Sequence, residues 1–452
     1  MFERYFGATG EPWVLLWHLL AATFVANAVS AKALRAQPTQ TGAKEEIRLT
    51  LTEARERADT ANKQLAAARL DTAIAKGELR QRGILQFNPT ADVLGPFDSE
   101  SAEMGVSQEL EVAGQRGYRL ASGRANLERS RASARNAART IIGAIDRSFY
   151  RLASATERTK LSEDVLILSQ RLASITERQL AAGEVSRLDY NLAVIELGRS
   201  RSRLLASQRQ REQASVELTR LLGLNARVMI VPVIENLEGD DTPEAGNAVP
   251  IGTHPHAARA ATLKLDSLVS LALSLRPDLT ARAASLRQAQ AELGLTRRSA
   301  LPNLMMRAVS EPGGSGRLIR GGVGLSLPIF NRNQGEAEAR RAGVSQARLE
   351  SLALVADVKA EVSSELAAYQ AAAEQVEILE TTVLIPARQN RQLLETAYRE
   401  GKVGLSVLLL IRNQVIDAEL EYWEAWLAER EALANLREAT GENYPLQVGG
   451  AR

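Results

Sequence analysis

The chain has 452 residues, with 56 Lys plus Arg against 54 Asp plus Glu, 4% aromatic residues, three histidines and no cysteine. That near-even balance, with Arg and Glu interspersed along the chain, argues against the concentrated basic field of a nucleic-acid binder and is the habit of long solvated helices. Without a thiol there is no disulfide, no cysteine-ligated cluster and no cysteine lipid anchor, and the dominant residues, Ala, Leu, Arg, Glu and Gln, are good helix formers.

In chain order, the first element is the apolar run WVLLWHLLAATFVANAVSA (Trp13–Ala31), which ends in small residues. It reads as a signal peptide over residues 1–31, cleaved near 28 or 31, with an uncleaved membrane helix as the alternative. No later stretch has the roughly 18 uninterrupted apolar residues of a spanning helix. A helix of helix-forming residues then runs from Leu49 to about Leu85 and stops at Asn88-Pro89. A β-hairpin is expected at about 88–112. Its opening strand, near TADVLGPF (Thr90–Phe97), is short and weak. Its second, MGVSQELEV (Met104–Val112), alternates Met104, Val106, Leu110 and Val112 with Gly105, Ser107, Glu109 and Glu111.

A long helix follows over 117–182. Leu120, Leu127, Ala134 and Ile141 are seven apart, and after a phase slip Leu161, Leu168, Ile175 and Ala182 resume the spacing. At 1.5 Å per residue it would span about 100 Å. Gly183 makes a turn, and a shorter helix occupies 187–222. The polar stretch 224–262 reads as a linker, and its His254-Pro255-His256 as a solvated loop rather than a metal ligand pair. A helix over Thr262–Leu279 opens the second half. A second hairpin is expected at about 303–330, where Val323, Leu325, Leu327 and Ile329 alternate with Gly322, Gly324 and Ser326. A long helix over 335–400 carries Val355, Val362, Tyr369, Val376 and Val383 at heptad spacing, with Pro386 expected to kink it. Gly401 makes another turn, a helix runs over 405–440, and 442–452 form a tail.

The two halves are a duplication. Gly117, Gly183 and Gly223 recur 218 residues later as Gly335, Gly401 and Gly441. Leu51 and Leu65 match Leu265 and Leu279. Two repeats, 45–223 and 263–441, therefore share one order: helix, hairpin, long helix, glycine turn, helix. Packing the shorter helices along the long rods places both glycine turns at one end and both hairpins at the other. One face of each hairpin either covers a soluble core or meets lipid. In the second case four strands cannot close a barrel, and several chains must share one.

This order resembles the TolC-like outer-membrane efflux factors over nearly the whole chain beyond the leader. The resemblance rests on LTLTEARERA (from Leu49), GVSQELEVAGQRGYRLA (Gly105–Ala121), GVGLSLPIFNRNQGEAEARRA (Gly322–Ala342) and AYREGKVGLSVLLLIRNQVIDAELEYWEAW (Ala397–Trp426). LPIFNRNQG is similar to the branch that serves heavy-metal exporters such as the cobalt–zinc–cadmium system. The resemblance implies a mainly α fold with a small β part: long antiparallel coiled-coil helices forming a periplasmic tunnel, and four strands per chain in a shared trimeric outer-membrane barrel. It also implies a homotrimer in outer-membrane lipid, a periplasmic adaptor, and an inner-membrane pump of the resistance–nodulation–division type. Adaptor contact is expected at the turns, through Gly183, Val185, Leu188 and Asp189 in the first half and Gly401, Val403, Gly404, Leu405 and Ser406 in the second. Lipid contact is expected at Met104, Val106, Leu110, Val112, Val323, Leu325, Leu327 and Ile329.

No catalytic constellation, cofactor fingerprint or metal-ligand cluster stands out, so the expected role is a passive conduit rather than an enzyme, for metal cations or small toxic molecules. Two other readings compete. A periplasmic adaptor usually carries one helical hairpin rather than a full-length duplication. A structural coiled coil needs neither a leader nor alternating strands.

Overall fold

The computed structural model describes residues 45–95, 102–225, 228–234, 256–313 and 316–442. The leader, His18, His254, the centre of the linker, the tip of the second hairpin and nearly all of the tail lie outside the described residues. The described residues from Glu46 onward belong to one compact unit. Its elements are β1 (Glu45–Leu49), α1 (Leu51–Ala61), α2 (Lys63–Gly83), β2 (Thr90–Leu94), β3 (Glu103–Leu110), α3 (Gln115–Ala181), α4 (Arg187–Leu221) and β4 (Val228–Pro232). The second half has α5 (His256–Ala261), α6 (Leu265–Leu275), α7 (Pro277–Arg298), β5 (Leu304–Gly313), β6 (Gly316–Leu325) and α8 (Gln334–Ile378). A π-helical turn (Leu379–Leu384), α9 (Ile385–Arg399) and α10 (Leu405–Thr440) complete it.

The repeat is visible in detail. The expected single helix from Leu49 to about Leu85 is instead β1, α1 and α2, and the break at Asn62 has a counterpart at Arg276 between α6 and α7. Both break residues are extended, with φ −71° and ψ 118° at Asn62 and φ −66° and ψ 122° at Arg276. Each sends its side chain to the end of its own half's last helix. Asn62 Nδ2 donates to the Leu221 carbonyl at 2.8 Å, and Arg276 Nη1 donates to the Ala439 carbonyl at 3.1 Å. Those two acceptors occupy equivalent positions, so each repeat is tied shut by the residue that interrupts its first helix. Asn62 also caps α2, accepting from Leu65 N. The linker contributes β4, which pairs with β1.

The second long helix is interrupted where the first is not. Pro386 has no N–H, and its ring excludes the carbonyl four residues back, so the ladder widens into the π-helical turn just before it. The outer stretch of α3 also differs from its apolar heptads. Leu168 and Ile175 are exposed, whereas Ser162, Val165, Ser169, Leu172 and Thr176 form the buried seam. The small hydroxyl residues suit close helix packing because each bonds back to its own helix. Ser162, Ser169 and Thr176 donate to the carbonyls of Arg158, Val165 and Leu172, each at 2.8 Å. Ser169 and Ser200 then meet across α3 and α4 at 2.8 Å.

Each half has its own core. Leu49, Leu65, Ile145, Phe149, Leu152 and Leu218 fill the first; Leu268, Val358, Val362, Tyr369 and Leu436 fill the second. Fully burying such a side chain contributes about 1.5–3 kcal/mol. The elements lie side by side in three tiers. The strands run β2-β3-β5-β6. The helices next to them run α2-α3-α7-α8, and those toward the glycine turns run α4-α3-α10 with α8 and α9 beyond.

Candidate functional sites: the sheet face and the helical turns

The four strands are antiparallel throughout, and their register sorts the side chains. Val93, Met104, Ser310 and Ile319 are neighbours across the sheet, as are Gln108, Met306 and Val323, and then Leu110, Leu304 and Leu325. Five residues selected from the sequence, Met104, Val106, Leu110, Val323 and Leu325, therefore share one face, which is mainly apolar. Met104, Val106, Val323 and Leu325 are exposed in the single chain. The opposite face carries Thr90, Asp92, Ser107, Glu109, Arg307 and Arg320 together with the apolar Leu94, Met305, Val309 and Leu318. Asp92 pairs with Arg307 at 2.9 Å, and Glu311 with Arg320 at 2.7 Å.

Val112, Leu327 and Ile329 lie beyond the strand ends, a correction to the expected hairpins. Leu110 is paired with Leu304, the first residue of β5, so Val112 has no partner strand to follow. Pro328 offers no ladder donor after β6. All three side chains are nevertheless exposed. The weak opening strand is real but short: Thr90–Leu94 pairs with Glu103–Ser107.

At the other end, two turns of the same geometry lie together. Gly183 has φ +79° and Gly401 φ +70°, a left-handed conformation that terminates a helix without a Cβ penalty. Glu184 N donates to the Gln179 carbonyl and Lys402 N to the Ala397 carbonyl, each at 2.9 Å. The next helix starts differently in the two halves. Ser186 caps α4 in a reciprocal box: its Oγ accepts from Asp189 N at 3.1 Å, and Asp189 Oδ2 accepts from Ser186 N at 3.3 Å. Gly404 has no side chain to cap α10.

Leu172, Ala173, Ala193, Leu394, Leu405, Leu408 and Leu409 form one buried cluster that joins the two turns, with Val403 half-buried against it. Leu405 is 7% exposed and so packs inside the turn region rather than presenting itself. Leu188 is 68% exposed, and Gly183, Gly401, Gly404 and Ser406 are exposed too. Val185 and Asp189 are partly buried. Burial and the negative charge of Asp189 raise the Tyr398 hydroxyl above its ordinary range, which places the two hairpins within electrostatic reach of each other.

Sequence reasoning missed Arg412, one helical step beyond Leu405, Leu408 and Leu409 on the buried face of α10. It is 7% exposed and donates through Nη2 to the Val165 carbonyl at 3.0 Å and to Ser169 Oγ at 2.9 Å. Its Nε and Nη1 have no hydrogen-bond partner among the described residues. The three-and-four spacing would have found it had a charged residue been admitted to a core face. Among the described residues, no group of three or more His, Cys, Asp or Glu could hold a metal, and no helix is long and apolar enough to cross a membrane.

The family model described as outer membrane efflux protein matches residues 94–224 and 268–442, most of the chain and part of each repeat. The chain belongs to the outer membrane efflux protein family. It is 25% identical over 382 residues to the cobalt-zinc-cadmium resistance protein CzcC of Cupriavidus metallidurans, covering 83% of this chain and 85% of that one. It is 24% identical over 282 residues to the pyoverdine export outer membrane protein OpmQ of Pseudomonas aeruginosa, covering 61% and 54%. The Campylobacter jejuni CmeC outer membrane channel has the same fold, with a TM-score of 0.69, 14% identity and coverage of 88% and 86%. The efflux family membership identifies the chain as an outer-membrane efflux channel whose helices extend into the periplasm.

Proposed function

We propose that three copies of this chain form one conduit, a passive route across the periplasm and outer membrane for substrate delivered by a periplasmic adaptor and an inner-membrane pump of the resistance–nodulation–division type. The observation that carries this reading is that, among the described residues, every tier has two open edges. In the sheet they are β2 and β6, in the adjoining helices α2 and α8, and toward the turns α4 and α9. The helical edges carry exposed apolar side chains: Leu70 and Ile74 on α2, Leu349 and Leu352 on α8, Ile195 and Leu205 on α4, and Leu393 on α9. An edge strand in lipid leaves its backbone groups unsatisfied. Head-to-tail copies remove both edges at once. Two copies would give eight strands, a barrel whose interior side chains nearly fill. Three give twelve and leave room for water.

In this arrangement Met104, Val106, Leu110, Val323 and Leu325 face hydrocarbon, and the mixed-charge face of Asp92, Glu109, Arg307 and Arg320 lines the water. Val112, Leu327 and Ile329 extend the apolar surface past the strand ends. Leu188, Val403, Gly404 and Ser406 present the adaptor-contacting surface, on turns held by Gly183 and Gly401, while Val185, Asp189 and Leu405 shape it from behind. The likeness to CzcC favours metal cations as cargo over small organic molecules.

The natural absence of cysteine makes the test clean. Single cysteines at Asp92 on β2 and Gly322 on β6, with neighbouring positions to scan register, are oxidised in outer-membrane vesicles. A covalent ladder that ends at three copies is the expected result. A ladder ending at two, or no intermolecular bond at any register, overturns the proposal.

A further inference from the structure

The linker delivers one titratable group into the helical unit. His256 opens α5, a single short helix laid against α8. Its Nδ1 is 2.7 Å from Glu429 Oε1 on α10, and its Nε2 is 3.9 Å from Glu380 Oε2 in the π-helical turn. Both carboxylates are buried, Glu429 3% and Glu380 9% exposed. The other groups facing this site are Glu377 of α8, which accepts from Ala257 N at 2.9 Å, and Arg430 and Tyr422 of α10. Burial pushes the Tyr422 hydroxyl up to about 12, so it carries no charge at ordinary pH. Ala260 then seats α5 at 1% exposure against the core of the second half, and its carbonyl accepts from Gln370 Nε2 at 3.3 Å.

The contact with Glu429 is a hydrogen bond and that with Glu380 is an ion-pair approach, and an imidazole carrying both protons is attracted to both carboxylates. Neutral, it keeps at most the uncharged bond to Glu429 and leaves two buried carboxylates without a compensating charge. We propose that His256 is a proton-operated clasp that fastens α5 to the π-helical turn and to α10 when the imidazole is charged and loosens when it is neutral. The clasp acts on the interrupted long helix, the one that ends in the Gly401 turn. The hydrogen bond to Glu429 raises the His256 pKa, against an opposing effect of burial, and the charge of Glu380 adds to the rise while Arg430 opposes it. The docked state is therefore fully favoured below the ordinary histidine range and is lost as pH rises through the elevated value.

The absence of native cysteine again supplies the probe. Ala260→Cys places a thiol that α5 must leave its seat to expose, and Ala258→Cys, on the exposed side of the same helix, reports the intrinsic reactivity at each pH. The ratio of maleimide labelling rates, buried over exposed, is measured on the full-length protein in detergent from about pH 5.5 to 8.5, a window that brackets the histidine range. It should rise about tenfold across the window, the factor set by one charge-assisted hydrogen bond at the low end of its usual strength. His256→Gln in the same backgrounds should make the ratio independent of pH. Glu429→Gln should move the midpoint to lower pH. A ratio that is flat with His256 in place, or that rises as steeply after His256→Gln as before it, overturns the clasp. This readout is independent of copy number and of export.

Discussion

Four glycines occupy left-handed conformations at equivalent positions of the two repeats, Gly183 with Gly401 and Gly223 with Gly441, and their replacement by alanine separates backbone strain from close approach. All four have φ between +64° and +82°. An L-residue there costs about 1–2 kcal/mol. At Gly183 and Gly401 a Cβ would meet nothing within 4 Å, so strain is the whole cost. At Gly441 the Cβ would lie 3.3 Å from Leu275 Cβ, a small extra. At Gly223 it would lie 2.5 Å from the Ala61 carbonyl oxygen and 3.1 Å from its carbon. That is backbone at the end of α1, which cannot rotate aside, and overpacking of this kind adds about 1–3 kcal/mol. Gly223→Ala should therefore cost about 2–5 kcal/mol and the two turn variants about 1–2. The assay is the midpoint of helix loss by circular dichroism on detergent-solubilised protein, with export measured in parallel. Equal midpoints for Gly183→Ala and Gly223→Ala would refute the close-approach argument. A Gly401→Ala protein that keeps most of its stability and loses export would show that the turn surface itself is used.

Three further outcomes are expected. Arg412→Met should lower thermal stability less than Arg412→Ala does, because two of the buried guanidinium nitrogens have no hydrogen-bond partner among the described residues and methionine fills a similar volume, whereas alanine also leaves a cavity. Burial pushes the Asp278 carboxyl up, but the hydrogen bond and charge of Arg276, with the charge of Arg139, hold it below the ordinary carboxylate range. Its contribution is present above the unfolded-state pKa and lost as pH falls through the folded one, so Asp278→Asn should flatten the loss of ellipticity below about pH 4. Leu405→Ala should cost about 2–4 kcal/mol by opening the turn cluster, whereas Leu188→Ala should stay within about 0.5 kcal/mol in the same melt and weaken adaptor capture in a pull-down with purified adaptor.

The elements that could be read from the sequence are those whose pattern is set by period and by backbone. The glycine turns were legible because a left-handed helix end selects glycine, and the faces of β3 and β6 because alternation fixes side-chain direction within a strand. What was not legible depended on partners distant in sequence. Nothing local at Asn62 announces a break, since the gain comes from the distant carbonyl of Leu221, whereas the matching break at Arg276 has a local sign in Pro277, which drives the residue before it out of the helical region. The seam of Ser162, Ser169 and Thr176 was hidden because hydroxyls bonded to their own helix pack as small apolar groups, while the more hydrophobic Leu168 and Ile175 sit exposed. His256 looked like part of a solvated loop because Glu380 and Glu429 lie far along the chain. Among the candidate contact residues, Leu405 is buried because it opens the face of Leu408, Leu409 and Arg412 at three-and-four spacing, whereas Leu188, one position further along its own helix, is exposed.

The duplication also allows the two hairpins to be compared as mechanical parts. In the first, α3 is uninterrupted to its last turn, and α4 begins with the Ser186–Asp189 box. In the second, a π-helical turn and Pro386 interrupt the long helix, and α10 begins at Gly404 without a side-chain acceptor. Asp189 and Val407 are equivalent positions, so the same amide is bonded to a cap in one hairpin and has none in the other. With glycine at the cap position, the missing side-chain acceptor costs about a few tenths of a kcal/mol. Of the two hairpins, the second is therefore the less firmly held. Its signature is local: the Val407 amide should exchange with solvent about twofold faster than that of Asp189, relative to their intrinsic rates. Gly404→Ser, which restores an acceptor at the cap, should slow Val407 and leave Asp189 unchanged. Equal protection of the two amides before that substitution would mean that the hairpins are equally stiff, and the asymmetry of the chain would then have no mechanical consequence at its turns.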